Sequence, residues 1–130
     1  MSDLYAQFSY STGAVRLMLD DGPVKIGAGW AGHGEGKNNP AWQAVKAVGP
    51  LPVGRYAIGA PFTHPECGGF AMRLTPLPGT EMYGRDGMLI HGPSKNPAKY
   101  GQESNGCLVM PRDQRVALWQ TGARILEVAL

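Results

Sequence analysis

Turn-forming residues recur so closely along this chain that they restrict it to short strands and very short helices. Its 130 residues include 19 glycines and 11 prolines, and polar and apolar residues alternate in many of the runs between them. Such alternation is typical of half-buried strands, and glycine and proline favour the turns that join them. We therefore expect a mainly β fold over residues 1–130, a single-domain sandwich or partly open barrel with one or two short helices.

The alternating runs also place individual elements. Strands are predicted at 4–10, 14–20 and 24–30, within 49–59, and at 70–77, 88–90, 108–110 and 124–130. Thr12-Gly13 separates the first two strands and predicts a hairpin. Helical spacing and a proline-to-glycine span predict short helices at 41–48 and 111–122, and glycine-rich composition predicts a loop at 31–40.

Charge and hydropathy exclude several classes of protein. The formal net charge is only +2, and the lysines and arginines are scattered, which argues against nucleic-acid binding. No apolar run approaches the ~18–20 residues of a membrane-spanning helix. The N-terminal stretch MSDLYAQFSYSTG lacks a basic region followed by an apolar one, so we expect synthesis in the cytoplasm without a signal peptide.

A histidine and a cysteine stand on either side of a polar loop. His91 ends a short apolar run and is followed by Gly92, and Cys107 follows Gly106. A cysteine nucleophile needs a base or cation that favours its thiolate, and N–H donors for the developing oxyanion. His91 is the candidate base, the amides of Gly106 and Cys107 are candidate donors, and Ser104 can hydrogen-bond within the loop. An adjacent imidazolium would lower the pKa of the thiol. A packed histidine and a buried thiol remain the alternative on spacing alone.

Two sequence blocks resemble the L,D-transpeptidase catalytic domain. IHG at 90–92, followed by SNGCLVM at 104–110, resembles the family's histidine and its later Ser/Thr-His-Gly-Cys motif with a hydrophobic residue. GPLPVGRY at 49–56 is similar to the family's turn into a strand. The resemblance covers roughly residues 5–120 and is closest to the small type VI secretion effectors of this family. It implies a fold of L,D-transpeptidase type.

The resemblance also implies roles for the loop residues. Cys107 would be the nucleophile, His91 its base and acid, and Ser104 a supporting residue, with oxyanion donors at Gly106 and Cys107. Two positions depart from the family's pattern. Asn105 stands where many members have a second histidine. Val109 stands where many have an arginine that helps to bind the substrate carboxylate.

Other residues are candidates for contacting the substrate. Arg85, Lys95 and Arg112 could replace the missing arginine, and the sequence does not choose among them. His33 lies in the 31–40 loop, which either borders the cleft or is a solvated connector. His64, Glu66 and Cys67 do not have a zinc-site spacing, so we expect a surface loop there and no metal. A disulfide between Cys67 and Cys107 would disable the nucleophile, so we expect Cys107 to be free.

By resemblance, the substrate is the peptide stem of peptidoglycan, and no cofactor is implied. The thioester on the cysteine would be resolved by water, as in an L,D-carboxypeptidase, or by an amine, as in transpeptidation or D-amino-acid exchange. The likeness to secreted effectors implies action in the periplasm of a target bacterium, after specialised secretion, with a cognate immunity protein as a possible partner. Two alternatives stay open: a non-catalytic module that binds cell wall or a partner, and a Cys–His peptidase or amidase with another amide substrate.

Overall fold

The computed structural model of the chain describes residues 4–93 and 104–130, which form ten strands and one α-helix. The first five strands are β1 (Tyr5–Ser9), β2 (Ala14–Leu19), β3 (Gly22–Ala28), β4 (Trp30–Ala31) and β5 (Gly54–Ile58). The next four are β6 (Phe62–His64), β7 (Gly68–Pro76), β8 (Leu89–His91) and β9 (Leu108–Val109). Helix α1 (Arg112–Gln120) and strand β10 (Ile125–Ala129) follow, and 3-10 turns lie at Gly34–Gly36 and Pro40–Trp42.

The strands form one open, mixed sheet in the order β3-β2-β1-β10-β5-β7-β8-β9-β4, with β6 paired to β7. The pairs β1–β10 and β8–β9 are parallel, and the other pairs are antiparallel. The mainly β fold that the sequence predicts is confirmed. In the parallel pair β8–β9 the polar loop leaves at the end of β8, after His91, and returns at the start of β9, before Leu108.

Alternating side chains build the core. In β1 and β10 every second residue is buried, as expected for strands with one face on a core. Helix α1 covers part of this face through Leu118, which has no exposed surface. The largest fully buried side chains are Tyr56, Phe8, Leu51, Met72, Ile90, Leu108, Met110, Leu118 and Leu126. Burying each aliphatic side chain of this kind contributes about 1.5–3 kcal/mol.

Two predicted elements differ from the structure. The helix predicted at 41–48 is wrong: only the 3-10 turn Pro40–Trp42 forms, and its start is capped by Asn39 Oδ1, which accepts from the Ala41 amide at 3.1 Å. Ala47 has φ +65°, which a right-handed helix cannot contain. The strand predicted at 24–30 is divided at Gly29 into β3 and β4, and glycine is required there because a Cβ would collide with the carbonyl oxygen of Val109.

One further helix forms where the sequence predicts it, and one short strand was not predicted. The predicted helix at 111–122 forms as α1, with Pro111 as its N-cap. Strand β6 has no strong alternation and was not predicted.

Within the described ranges, no helix combines the length and the apolar character needed to cross a membrane.

Candidate functional site

The pairing of β8 with β9 brings the predicted base and nucleophile to the same part of the sheet. Ile90 pairs with Leu108, so Cys107, one residue earlier, stands beside Leu89. The Leu89 amide donates a hydrogen bond to Cys107 Sγ at 3.3 Å. His91 lies two residues further along β8, so the thiol and the imidazole belong to the same small region of the sheet.

The surroundings of the Cys107 thiol favour its protonated form. Burial raises its pKa to about 11, the nearby Cys67 acts in the same direction, and the Leu89 N–H and the Arg85 guanidinium oppose them. The sequence-based expectation of a lowered pKa is therefore wrong. A thiol with this pKa must lose its proton as it attacks, so the site needs a base. Cys107 and Cys67 are both free thiols, as expected for the nucleophile.

We expect alkylation of Cys107 to be slow at neutral pH and to accelerate steeply as the pH rises. Only the thiolate reacts, and a pKa of about 11 implies a rate constant with iodoacetamide that increases about tenfold per unit between about pH 7 and 10. Intact-protein mass spectrometry on Cys67→Ser protein, which leaves a single thiol, would measure this rate. A rate constant that is already constant near pH 7 would contradict the raised pKa.

The His91 ring is oriented by its own strand end. The side chain is buried, with 4% of its surface exposed, and Nδ1 lies 2.9 Å from the Gly92 carbonyl oxygen. A carbonyl oxygen only accepts, so the hydrogen is on Nδ1. A neutral imidazole with that tautomer carries its lone pair on Nε2, and this is the form that accepts a proton from an acid. His91 is thus held in the tautomer that a general base requires.

Ser104 organises the loop that carries the cysteine. Its hydroxyl is fully buried, accepts from the amides of Gly32 (2.7 Å) and Gly106 (3.2 Å), and donates to the Cys107 carbonyl oxygen (2.5 Å). His33 Nδ1 donates to the Ser104 carbonyl oxygen at 2.8 Å, which ties the 31–40 segment to the same loop. The hydroxyl therefore fixes the backbone around Cys107, in keeping with the predicted supporting role.

The geometry at Gly106 changes one predicted role. Its amide already donates to Ser104, so it does not serve as an oxyanion donor in this arrangement, and the Cys107 amide remains the candidate. Gly106 has φ +130°, and a Cβ at this position would collide with Nη2 of Arg85. Glycine is thus required here for both conformational and steric reasons.

Arg85, one of three candidates for the anchor of the substrate carboxylate, has its guanidinium bound to the main chain. Only 5% of its surface is exposed. Its guanidinium donates to four carbonyl oxygens, those of Gln43 (2.7 Å), Pro50 (2.7 Å), Gly49 (2.9 Å) and Asn105 (3.2 Å). Donors engaged in this way are not available to a substrate carboxylate. Arg85 instead joins the 43–50 segment to the loop that holds Cys107.

The two departures from the family pattern have clear positions in the structure. Asn105 is exposed and offers its carbonyl to Arg85, so a loop residue with a solvent-facing side chain takes the place of a second histidine. Val109 is fully buried and pairs with His91 on one side and with Trp30 on the other. The position that many relatives give to an arginine is therefore part of the packed sheet here.

The remaining substrate-binding candidates are dispersed. Arg112 is exposed, and its guanidinium lies over the Phe70 ring at 5.9 Å. Lys95 lies outside the described residues. His33 is half-buried and bound to the cysteine loop, which places it near the site but does not assign it to the substrate. None of these positions alone identifies what replaces the family's arginine.

A second buried arginine lies beside Gly92, and no sequence motif predicts it. Arg115, on α1, is 5% exposed and donates through Nη1 to the carbonyl oxygens of Gly69 (3.0 Å) and Phe70 (2.9 Å). A Cβ on Gly92 would lie 2.5 Å from Nη2 of Arg115, so Gly92 leaves space for this guanidinium. Arg115 thereby binds the start of β7 and packs against Gly92, the residue after β8. No sequence pattern distinguishes it from the exposed arginine one helical turn earlier.

The His64–Cys67 segment is a turn closed by the side chain of His64. His64 Nδ1 accepts hydrogen bonds from the amides of Glu66 (3.0 Å) and Cys67 (3.1 Å). Across residues 4–93 and 104–130, no three histidine, cysteine, aspartate or glutamate side chains are grouped closely enough to hold a metal ion.

Comparison with known proteins relates the whole arrangement to one family. The family profile described as the Tlde1 domain matches residues 25–128. No curated protein matches the sequence. Among solved structures, an L,D-transpeptidase from Mycobacterium smegmatis is similar with a TM-score of 0.56 and 14% identity over 97% of this chain and 58% of its own.

Two other solved structures have similar values. L,D-transpeptidase 1 from Mycobacterium tuberculosis has a TM-score of 0.56 and 15% identity, covering 98% of this chain and 62% of its own. The helical cell shape determining protein Pgp2 from Campylobacter jejuni has a TM-score of 0.61 and 18% identity, covering 96% and 46%. The chain thus spans 46% to 62% of the length of these three proteins. At such identities the likeness shows a common fold.

Proposed function

Because the chain belongs to the Tlde1-domain family, the L,D-transpeptidase effectors of type VI secretion, we propose that it is a cysteine-dependent enzyme that transfers acyl groups of peptidoglycan stem peptides. The observation that carries this proposal is the hydrogen bond from the Leu89 amide to Cys107 Sγ, which places the thiol beside β8, two residues from His91. The tautomer of His91 and the hydrogen bonds of Ser104 add to it, because both fix groups that the chemistry needs.

The first half-reaction forms a thioester. As Cys107 Sγ attacks the carbonyl carbon of the third stem residue, a diamino acid, its proton passes to Nε2 of His91. The raised pKa of the thiol requires this transfer to accompany the attack. The negative charge then on the carbonyl oxygen is stabilised by the Cys107 amide. His91 returns the proton to the nitrogen of the terminal D-alanine, the C–N bond breaks, and D-alanine leaves.

The second half-reaction regenerates the thiol. A water molecule or an amine attacks the thioester carbonyl while His91 accepts its proton. The C–S bond breaks, and Cys107 recovers a proton from His91. Water yields the shortened stem peptide, as in an L,D-carboxypeptidase. An amine yields a cross-link or an exchanged terminal D-amino acid, as in an L,D-transpeptidase.

We further infer from family membership that the protein acts as an antibacterial effector. Peptidoglycan lies outside the cytoplasmic membrane, so its place of action would be the periplasm of a target bacterium, after specialised secretion. A cognate immunity protein would then be needed in the periplasm of the producing cell. Expression of the chain with a periplasmic signal in a susceptible bacterium tests this part separately from the enzymology.

Incubation with purified tetrapeptide muropeptides tests the proposed activity. We expect the tetrapeptide to lose one alanine, or to gain a second stem or a D-amino acid when an amine acceptor is supplied. Mass spectrometry of the muropeptides separates these three products by mass. Folded protein that binds the muropeptide without changing its mass would contradict the proposal and favour a non-catalytic cell-wall-binding module.

A further inference from the structure

The end of β8, which carries His91, is held differently on its two sides. Towards β9, the Met110 amide donates a main-chain hydrogen bond to the His91 carbonyl oxygen at 2.9 Å. Towards β7, the last pair of the ladder joins Met72 to Ile90, so the ladder stops one residue before His91. The strand end that carries the proposed base therefore needs some other support on the β7 side.

Arg115 occupies the place where the β7–β8 ladder stops. The backbone of β7 is irregular there, because Phe70 has φ +54°, a conformation that few residues other than glycine adopt. The carbonyl oxygens of Gly69 and Phe70 accept hydrogen bonds from Arg115 Nη1, at 3.0 and 2.9 Å. A Cβ on Gly92 would lie 2.5 Å from Nη2 and 3.1 Å from Cζ of the same guanidinium. The guanidinium thus fills the space between the start of β7 and the residue that follows β8.

Burying this guanidinium is unfavourable. The side chain is 5% exposed, and its Nε has no acceptor among the described residues. The acceptors of Nη1 are uncharged, and in the described part of the chain the ion pair joins Arg55 to Glu127. A buried donor without an acceptor and a buried charge without a counter-charge both destabilise a fold. A methionine would fill a similar space without either penalty, so packing alone does not account for an arginine here.

The residue against which Arg115 packs is the one that orients the proposed base. The Gly92 carbonyl oxygen lies 2.9 Å from His91 Nδ1, and this contact selects the tautomer whose lone pair is on Nε2. Glycine is the most flexible residue in a chain, so the direction of its carbonyl depends on what packs against it. At Gly92 the guanidinium of Arg115 is in that position.

We propose that Arg115 is a positioning residue for the His91 base. By joining the start of β7 to Gly92, it holds the Gly92 carbonyl against Nδ1 and keeps the lone pair on Nε2, where the proton of Cys107 must go. This inference rests on the proposed function, in which His91 accepts that proton. Arg115 itself contacts neither the thiol nor the substrate in this role. Its loss should therefore slow the chemical step and leave substrate binding unchanged.

The kinetics of Arg115→Met test this role. We expect kcat for D-alanine release to fall about ten- to a hundredfold, as for a misplaced catalytic group, with KM changed less than about twofold. Arg124→Met is the matched control, since Nη1 of Arg124 also donates to two main-chain carbonyl oxygens, those of Trp119 (3.0 Å) and Ala123 (2.9 Å). It lies between α1 and β10, and its loss should keep kcat within about twofold. A raised KM with unchanged kcat in Arg115→Met would overturn the inference.

Gly92→Ala tests the contact itself. The φ of Gly92 lies outside the left-handed region, so the backbone accepts alanine and the obstacle to a methyl group is Arg115 Nη2. Gly92→Ala should lower kcat about tenfold in the unmodified chain, but less than about twofold in Arg115→Met, whose shorter side chain leaves room for the methyl group. Losses that multiply in the double variant would show that the two residues act independently, and would overturn the inference.

The tautomer of His91 can be measured without turnover. In protein with ¹⁵N-labelled histidine, the chemical shifts of Nδ1 and Nε2 show which nitrogen carries the hydrogen, and His91→Gln assigns the signals. At a pH where the ring is neutral, we expect Nδ1–H in the unmodified chain and in Arg124→Met. A mixture with the Nε2–H tautomer is expected in Arg115→Met and in Gly92→Ala, and thermal unfolding verifies that each variant is folded.

An unchanged Nδ1–H tautomer in folded Arg115→Met, or in Gly92→Ala if Arg115→Met does not fold, would overturn the positioning role of Arg115. This measurement does not depend on the reaction. If the unmodified chain converts no muropeptide, the proposed function fails, and the nitrogen shifts still show whether Arg115 sets the tautomer of His91.

Discussion

Cys107→Ser is expected to lower the rate of D-alanine release from tetrapeptide by more than about a thousandfold. A serine hydroxyl is far less acidic than a thiol and far less nucleophilic at the same position, so His91 cannot activate it to a comparable extent. The fold should be retained, because serine is only slightly smaller than cysteine and its oxygen can still accept a hydrogen bond from the Leu89 amide. Mass spectrometry of the released product measures the rate, and thermal unfolding checks the fold.

The second cysteine supplies a matched control for this experiment. Cys67 is also a free thiol; it lies in the turn beside His64, near enough to Cys107 to affect the pKa of that thiol, but forms and breaks no bond in the proposed reaction. Cys67→Ser conserves the size of the side chain and should therefore keep the rate of the unmodified chain within about twofold. Retained turnover in Cys107→Ser, or equal losses in the two variants, would show that Cys107 is not the nucleophile.

Arg85→Met should have the largest effect on stability, and should lower the free energy of unfolding by about 3–5 kcal/mol. The substitution leaves four carbonyl oxygens without their donor, in a region where water does not readily replace it. It also releases Asn105 from the 43–50 segment, so the loop that carries Cys107 loses its support. Urea denaturation gives the change in unfolding free energy, and the rate of D-alanine release should fall with it.

Two other arginine variants make the stability prediction specific. Arg85→Lys keeps the charge but offers fewer donors in a different geometry. Its free energy of unfolding should therefore lie between those of the unmodified chain and Arg85→Met. Arg55→Met removes an arginine whose side chain is 56% exposed and whose salt bridge with Glu127 is 3.2 Å long. That change should lower the free energy of unfolding by less than about 1 kcal/mol. A similar loss of unfolding free energy in Arg85→Met and Arg55→Met would mean that the buried hydrogen bonds of Arg85 do not stabilise the fold around the site.

Local patterns in the sequence were sufficient to predict most of the strands and to select the candidate site residues. Alternation predicted the hairpin strands, and the Ser104-to-Cys107 motif with its upstream His91 resembled one family. The helix predicted at 41–48 failed because its apolar spacing competes with an Asn39 cap that starts a turn and a positive φ at Ala47. Neither of these features alters the apolar pattern, so the pattern alone cannot exclude a helix.

Properties that depend on three-dimensional neighbours could not be predicted. The pKa of Cys107 follows from burial, which the parallel pairing of β8 with β9 determines, and the sequence suggested the opposite direction. The same is true of Arg85, a candidate for substrate binding that proves to be committed to main-chain carbonyl oxygens from two distant segments.

The central claim, that Cys107 carries the acyl group, is tested most directly by the mass of the protein during turnover. The protein is mixed with tetrapeptide, quenched in acid within the first turnovers, and analysed intact and after digestion. The account predicts a mass increase equal to the tetrapeptide minus D-alanine, located on the peptide that contains Cys107 and absent from Cys107→Ala. Products formed without any such adduct in rapidly quenched samples, or an adduct located on Cys67, would contradict it.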